Sequence, residues 1–511
     1  MDFIRQSLSL NVPVSKGSVE FGVDGDIIVP DVLPDILKVI QVDGNASLSE
    51  KRVVDGKLIA DGHLDLKILY IPDDDASKIK SIITSFTFSH TLSAAAMEEN
   101  TYADLLADVS KVEFQLTNSR KLKVKSVICL SYNIFNCQSL EIATDTEEDN
   151  LRLRKNSASI CSFVDFKDTQ FLVRESLEIP AGQSSIKDIL KLDASVYDTE
   201  VKIIAGRVIV KGICGVCVLY TDSEECIKYC DFEVPFTEII ELENIQETHI
   251  CDVEYSVKEI IYHPEADSDG DMRIVFTEII IGAKINAFEK TDVEYIEDCY
   301  CPGKNMKFSC ESRKMEAVVC QNTSNITIRE ILESDKNAPA ISGIYSLFAK
   351  PVVESVKCEN GRVCVEGRVI CYCLYVCEGG EMPVYSTRHE LRFCENIEAE
   401  GCDSNCFCNV EADIAHKNYA INSAGETEVK LSLALDIMVL KSINMPVLSE
   451  FEICDVEETN KKGIVIYFAE DNETLWSVAK RYTVSEEEIA RLNNLEDDNL
   501  CEGMKLLIPS V

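Results

Sequence analysis

Three stretches of the chain share one pattern of apolar and polar positions: GKLIADGHLDLKILY at residues 56–70, GRVIVKGICGVCVLY at 206–220 and GRVCVEGRVICYCLY at 361–375. In the second, Val208, Val210, Gly212, Cys214, Val216, Val218 and Tyr220 alternate with their neighbours and share one side; Leu58 to Tyr70 and Val363 to Tyr375 repeat the arrangement. Period-two alternation marks a strand with one face in a core. Each copy starts with a glycine (Gly56, Gly206, Gly361) and has another at its seventh position (Gly62, Gly212, Gly367). Each ends in Leu-Tyr, the tyrosines being Tyr70, Tyr220 and Tyr375. A long strand with a glycine at its middle bends there or receives a close neighbour. We expect Gly62, Gly212 and Gly367 to mark a corner between two sheets.

The copies lie 150 and 155 residues apart, which is domain spacing. Upstream of each comes a short apolar segment with helical spacing, then an extended stretch, as in PDILKVIQVDGNASLSEKRVV, SIKDILKLDASVYDTEVKII and SGIYSLFAKPVVESVKCEN. Downstream come a polar turn, further strands and a long last strand (KLKVKSVICLSYNIF, DMRIVFTEIIIGAKINAF and EVKLSLALDIMVL). The fold class is therefore mainly β. We expect three tandem antiparallel repeats, sandwich or barrel-like, each with one short helix, spanning 1–150, 151–300 and 301–456.

The pattern changes after residue 456. GIVIYFAE reads as a strand, and TLWSVAKRY places Leu475, Val478, Ala479 and Tyr482 on one helical face. SEEEIARLNN offers Ser485 as a cap with Glu488 three residues on, and Ile489 and Leu492 facing inward. CEGMKLLIPS closes with a strand, so residues 463–511 form a small βααβ domain.

With 511 residues the chain is too long for one core, and its 46% apolar content allows several. The formal charge of −39 opposes binding to nucleic acid and anionic membranes and favours basic protein surfaces. The opening residues lack the pattern of a signal peptide, and no apolar run reaches 18 residues, so we expect a cytosolic protein without direct membrane insertion. Its 23 cysteines, an odd number often set in strand alternation, read as reduced thiols used as small apolar side chains.

The tail resembles the LysM domain through Thr474, Leu475, Trp476, Ala479, Tyr482, Asn493, Gly503, Leu506, Ile508 and Pro509. Its first turn departs from the family, with Asn472-Glu473 in place of Gly-Asp. The resemblance implies a shallow groove between that turn and the loop before the last strand, built from Asp471, Asn472, Glu473, Thr474, Leu475, Trp476, Asn493, Leu495 and Gly503. In the family this groove takes N-acetylglucosamine polymers. Here the lost glycine and an excess of ten acidic over four basic residues between 463 and 511 argue for a protein ligand. Trp476, the sole tryptophan, either packs on its own domain or forms a contact at the groove rim.

The three long repeats, through their glycine-strand motif, resemble the SPOCS domain of bacterial spore-envelope proteins. SPOCS repeats followed by one LysM domain resemble the SipL-like spore morphogenetic proteins. That resemblance implies a non-enzymatic coat-assembly scaffold on the mother-cell side of the forespore, with the LysM domain binding the coat basement-layer ATPase, stage IV sporulation protein A, and other coat proteins as further partners. The alternative is a peptidoglycan anchor.

No catalytic constellation stands out: six scattered histidines form no metalloprotease motif, and there is no nucleophile elbow or phosphate-binding loop. No cofactor is expected. Cys214 and Cys217 form a Cys-x-x-Cys that Cys226 and Cys230 could extend to a zinc site, but a separation of three on a strand points the thiols to opposite faces. The sister copies have Leu64 and Lys67, or Val369 and Tyr372, at these places. Cys402, Cys406 and Cys408, with Cys394 near in sequence, are a weak metal candidate on a turn-rich segment.

Overall fold

The computed structural model describes residues 3–54, 56–92, 101–332, 341–377, 383–422, 426–455, 463–495 and 500–509. Three six-stranded units succeed one another. The first comprises β1 (Phe3–Ile28), β2 (Ile36–Val54), β3 (Lys57–Pro72), β4 (Lys80–Leu92), β5 (Thr101–Asn118) and β6 (Lys121–Thr146). The second runs through β7 (Arg152–Glu178), β8 (Asp188–Ile204), β9 (Arg207–Thr221), β10 (Ile227–Glu241), β11 (Ile250–Ala266) and β12 (Met272–Tyr300). The third has β13 (Lys304–Leu332), β14 (Ile341–Glu359), β15 (Arg362–Cys377), β16 (Tyr385–Glu398), β17 (Cys406–Ile421) and β18 (Thr427–Asp455). β19 (Ile464–Phe468), α1 (Leu475–Tyr482), α2 (Glu486–Asn493) and β20 (Lys505–Pro509) make the βααβ tail.

Each unit is an antiparallel sandwich. The repeated strand is the centre of one sheet, in the orders β2-β3-β4, β8-β9-β10 and β14-β15-β16. The long last strand is the centre of the facing set, β1-β6-β5, β7-β12-β11 and β13-β18-β17. The latter two sets join through β7 and β13 into one six-stranded sheet. In the second unit Val208, Val210, Cys214, Val216, Val218 and Tyr220 of β9 pack between the sheets on Val275, Ile279 and Ile281 of β12, the face that alternation assigns to the core. The hairpin before β15 turns on Asn360 (φ 47°) and Gly361 (φ 76°), the left-handed pair a tight two-residue hairpin requires.

Two expectations are corrected. The helically spaced segments before the repeated strands are the starts of β2, β8 and β14. Register shifts fall between Ile36 and Lys38 and between Val39 and Gln41, so Ile36, Val39 and Val42 share the core although three residues apart. Ile341, Ile344 and Leu347 do the same across two shifts in β14. A bulge adds one residue to the period of two and so imitates helical spacing.

Nor do Gly62, Gly212 and Gly367 turn a corner: the central strands run through them unbroken. Each faces a phenylalanine across the ladder, Phe88, Phe236 or Phe393. A Cβ on Gly62 would lie 2.3 Å from the Ser47 carbonyl oxygen and 2.5 Å from the Phe88 ring; on Gly367, 2.4 Å from the Val352 carbonyl oxygen and 2.6 Å from Phe393. At Gly212 only side chains intrude, the nearest atom being 2.7 Å away on Phe236. Gly62→Ala and Gly367→Ala should therefore each cost about 1–3 kcal/mol, because backbone cannot step aside. Gly212→Ala should cost less, an order that urea midpoints will read.

The Leu-Tyr at the end of each copy serves two different contacts. The tyrosines point into their own sandwiches, and the Tyr70 hydroxyl donates to the Pro34 carbonyl (3.0 Å) as that of Tyr220 does to Ser184 (3.0 Å). The leucines point the opposite way, where alternation alone would put them in water, yet Leu69, Leu219 and Leu374 are only 1%, 3% and 2% exposed. They meet in one cluster with Ile79, Leu190 and Val384, flanked by Ile40, Ile227 and Tyr345, so every unit supplies three residues. Around this plug β4 lies against β8, β10 against β14 and β16 against β2. The units close a ring with approximate threefold symmetry, an arrangement that separate chains build as a trimer.

On the far side the long outer strands continue as three two-stranded ribbons that pack into a stem. Leu8 and Ile142 of the first ribbon meet Ile160, Val293 and Tyr295 of the second and Met315 and Met445 of the third. Further along, Phe3, Ala143, Ile296, Cys299, Leu448 and Phe451 form a second layer.

The seams between units differ in electrostatics. Between the first and second, Lys191 is almost fully enclosed and bridges Asp43 (2.5 Å) and Asp193 (2.8 Å), while Lys67 adds a third contact to Asp193 (3.1 Å). Burial pushes Asp193 upward, but the ammonium groups of Lys191 and Lys67 outweigh it and hold the carboxyl at about 2. Between the second and third, two carboxyls meet instead: Asp252 on β11 and Glu411 on β17 share a hydrogen bond. Burial, and after it the charge of Asp252, push Glu411 up to about 9. The folded chain thus holds a proton that the unfolded chain gives up near the ordinary glutamate value, so stability falls as pH rises from about 4.5 toward 9. Glu411→Gln should flatten the loss of melting temperature between pH 6 and pH 8.5.

Candidate partner-docking site

The βααβ tail folds on a core of Ala469, Leu475, Val478, Ala479, Val484, Ile489, Leu506 and Ile508. Thr474 caps α1 through a reciprocal capping box with Ser477, and Thr483 ends it in the left-handed conformation (φ 54°). Ser485 caps α2 by accepting from the Glu488 amide, while Leu492, expected to face inward, is exposed.

The expected groove residues fall into three groups. Asp471, Asn472, Thr474 and Gly503 are exposed around the first turn and the approach to β20. Asn472 takes the left-handed conformation (φ 60°), so asparagine keeps the backbone shape that a glycine gives and loses only the room for close approach. Glu473, Asn493, Leu475 and Leu495 are committed to the domain itself. The Glu473 carboxylate accepts from the Glu470 amide (3.0 Å), the Tyr467 hydroxyl (2.7 Å) and Arg481 (2.6 Å), bonds that hold it below the ordinary glutamate range, the Glu470 amide first. Asn493 bonds both the amide (2.6 Å) and the carbonyl (2.7 Å) of Leu507, Leu495 packs beside the core, and Leu475, 1% exposed, lies inside it. A partner reaches Leu475 only through the packing it supports. Residues 496–499, part of the second groove wall, lie outside the described residues.

Trp476 is the third case: it packs beside the core of its own domain, as one reading of the sequence has it, and also makes a contact that neither reading contained. Its ring meets Tyr300 edge-on at the end of β12, centroids 4.9 Å apart, and its Nε1 donates to Asp298 Oδ2 (2.9 Å). Lys480 on the next turn of α1 pairs with the other oxygen of Asp298. The Tyr300 hydroxyl donates to the Val484 carbonyl (3.1 Å), the Gly303 amide donates to the Thr483 carbonyl (2.7 Å) and Arg152 pairs with Glu487 (3.3 Å). This face fastens the tail to the tip of the stem. Asp298, Tyr300 and Gly303 carry no sequence signal for such a role, because no pattern links them to residues 178 to 184 positions later.

With that face taken, the strand of the tail presents an open apolar surface. Ile464, Val465, Ile466 and Phe468 of β19 are 58%, 38%, 55% and 59% exposed. Among the described residues β19 pairs only with β20, which leaves its other edge open there. An exposed apolar strand with an open edge is a ready surface for another protein.

The cysteines assemble differently from the sequence grouping. Cys214 is buried in the second core, Cys217 points to the third unit with its thiol 3.9 Å from the Tyr345 carbonyl oxygen, and Cys230 bonds Gln183 (3.1 Å) while Cys226 is exposed. Cys402 and Cys406 share a hydrogen bond, Cys402 bonds Cys358 as well, and Cys406 and Cys408 pack on the third core. Cys394 belongs elsewhere, beside Cys364.

Comparison with known proteins agrees with this division. The family model described as SipL, SPOCS domain, matches residues 35–117, 185–265 and 340–422, which are the four middle strands of each unit. The LysM domain model matches residues 470–509. No curated protein and no solved structure matches the chain. It is a SPOCS and LysM protein, three SipL SPOCS domains in tandem closed into a ring whose stem carries one LysM domain.

Proposed function

We propose that this chain is a non-enzymatic scaffold of the spore envelope whose LysM domain docks the coat basement-layer ATPase, stage IV sporulation protein A, and thereby holds coat material at the forespore surface. The SPOCS and LysM families are both non-catalytic. The observation that carries the reading is the LysM strand: an exposed apolar β19 whose outer edge is unpaired among the described residues, set at the end of a stem that fixes its position. The acidic balance of the domain favours a basic counter-surface over peptidoglycan, whose stem peptides carry carboxylates. No helix among the described residues is long and apolar enough to cross a membrane. In this reading the scaffold works in the mother-cell cytoplasm.

The experiment is a comparison of Ile466→Asp and Phe468→Asp with the native chain. Both side chains face water, so melting should not change, while capture of the ATPase should drop sharply. Unchanged capture by both variants would move the docking site off this strand. The LysM match itself supports a second reading, binding to N-acetylglucosamine polymers. Cosedimentation with purified peptidoglycan separates the two: we expect the native chain to stay in the supernatant.

A further inference from the structure

Among the described residues, one group of histidine, cysteine or acidic side chains is compact enough to hold a metal ion, and it lies far from the LysM domain. Cys364 and Glu366 alternate on the outer face of β15, and Cys394 stands directly across from Glu366 on β16. The two thiol sulfurs are 3.9 Å apart, and with a Glu366 carboxylate oxygen the three donor atoms all lie within 4.8 Å of one another. Two thiolates bound ~2.3 Å from a tetrahedral zinc ion stand about 3.8 Å apart, so the pair needs almost no adjustment.

Packing does not explain these thiols. Cys371 and Cys373 on the same strand are buried and serve the third core. Cys364 is half-buried and Cys394 exposed, on the side of the sheet turned away from that core. The sister units do without them: Ile59, Asp61 and Ser89 take the three places in the first, and Ile209, Lys211 and Thr237 in the second. The fold therefore asks for no sulfur here.

We propose that Cys364, Cys394 and Glu366 form a surface site for a thiophilic divalent cation of the zinc class. On binding, each thiol gives its proton to solvent and forms one sulfur–metal bond, and Glu366 supplies the third ligand. Water takes the fourth position. No electron is transferred. Because two protons leave, affinity rises with pH, by up to about a hundredfold per unit while both thiols are protonated in the free chain.

The test is zinc titration of the full chain, reduced and kept anaerobic, against a chromophoric chelator. The native chain should bind one equivalent that the Cys364→Ser, Cys394→Ser double variant loses, with the melting temperature of the metal-free protein unchanged. Glu366→Gln should weaken that equivalent without abolishing it. Equal stoichiometry and affinity in the native chain and the double variant would overturn the site. So would a reduced native chain that takes no zinc and whose two thiols only close to a disulfide when a disulfide reagent is added.

Discussion

Leu69→Asp is expected to loosen the first SPOCS domain from the other two and to split the melt of the protein into two transitions. Leu69 is 1% exposed, yet it lies on the outer face of β3, away from the core of its own domain. The substitution therefore leaves that core intact and strikes only the plug where it meets Leu219 and Leu374. Losing a buried leucine costs about 2–5 kcal/mol on its own. An aspartate in its place adds an unpaired carboxyl in an apolar cluster, which either ionises at high cost or stays protonated well above its usual range. The second and third domains share a six-stranded sheet and should hold together. The first is tied by the stem and by the Lys191, Asp43 and Asp193 bridges, so it should part early without drifting free. Calorimetry with far-ultraviolet circular dichroism reads this directly. A single transition at the native midpoint would show that the plug contributes little.

Trp476→Ala should release the LysM domain from the stem. The indole contributes its ring contact with Tyr300 and its hydrogen bond to Asp298, and removing a half-buried tryptophan costs about 3 kcal/mol. Because Trp476 is the only tryptophan, its fluorescence also reports the joint in the opposite experiment. Tyr300→Ala changes no residue of the LysM domain itself and should shift the emission to the red as water reaches the indole. If the spectrum stays as in the native chain, the tail is not seated on the stem in this way.

The alternation of apolar residues made the strands and their core faces readable, because one side of a half-buried sheet must be apolar whatever lies beyond it. Ile36, Val39 and Val42 misled for a local reason: bulges stretched their spacing to three. Gly62 and Gly367 misled for a spatial one, since nothing near them in sequence announces the Phe88 or Phe393 ring that fills their missing side chains. Leu69, Leu219 and Leu374 stood in plain view as the first half of a motif, but alternation assigns them to solvent, and only closure of the ring explains why all three are leucine. The same limit holds at the candidate site. Helix α1 and its inward residues were readable from Leu475, Val478 and Ala479, whereas the attachment of Trp476 and Lys480 to Asp298 depends on the stem.

In the function proposed here the LysM domain binds the partner and the SPOCS domains present it. The direct test is capture of stage IV sporulation protein A from sporulating cells by the full chain and by a chain ending at residue 455. The full chain should retain the ATPase and the shortened chain should lose it, while the shortened chain keeps its β content and a cooperative melt. If the shortened chain captures the ATPase as well as the full chain does, docking belongs to the SPOCS ring and the assignment to the LysM domain is wrong.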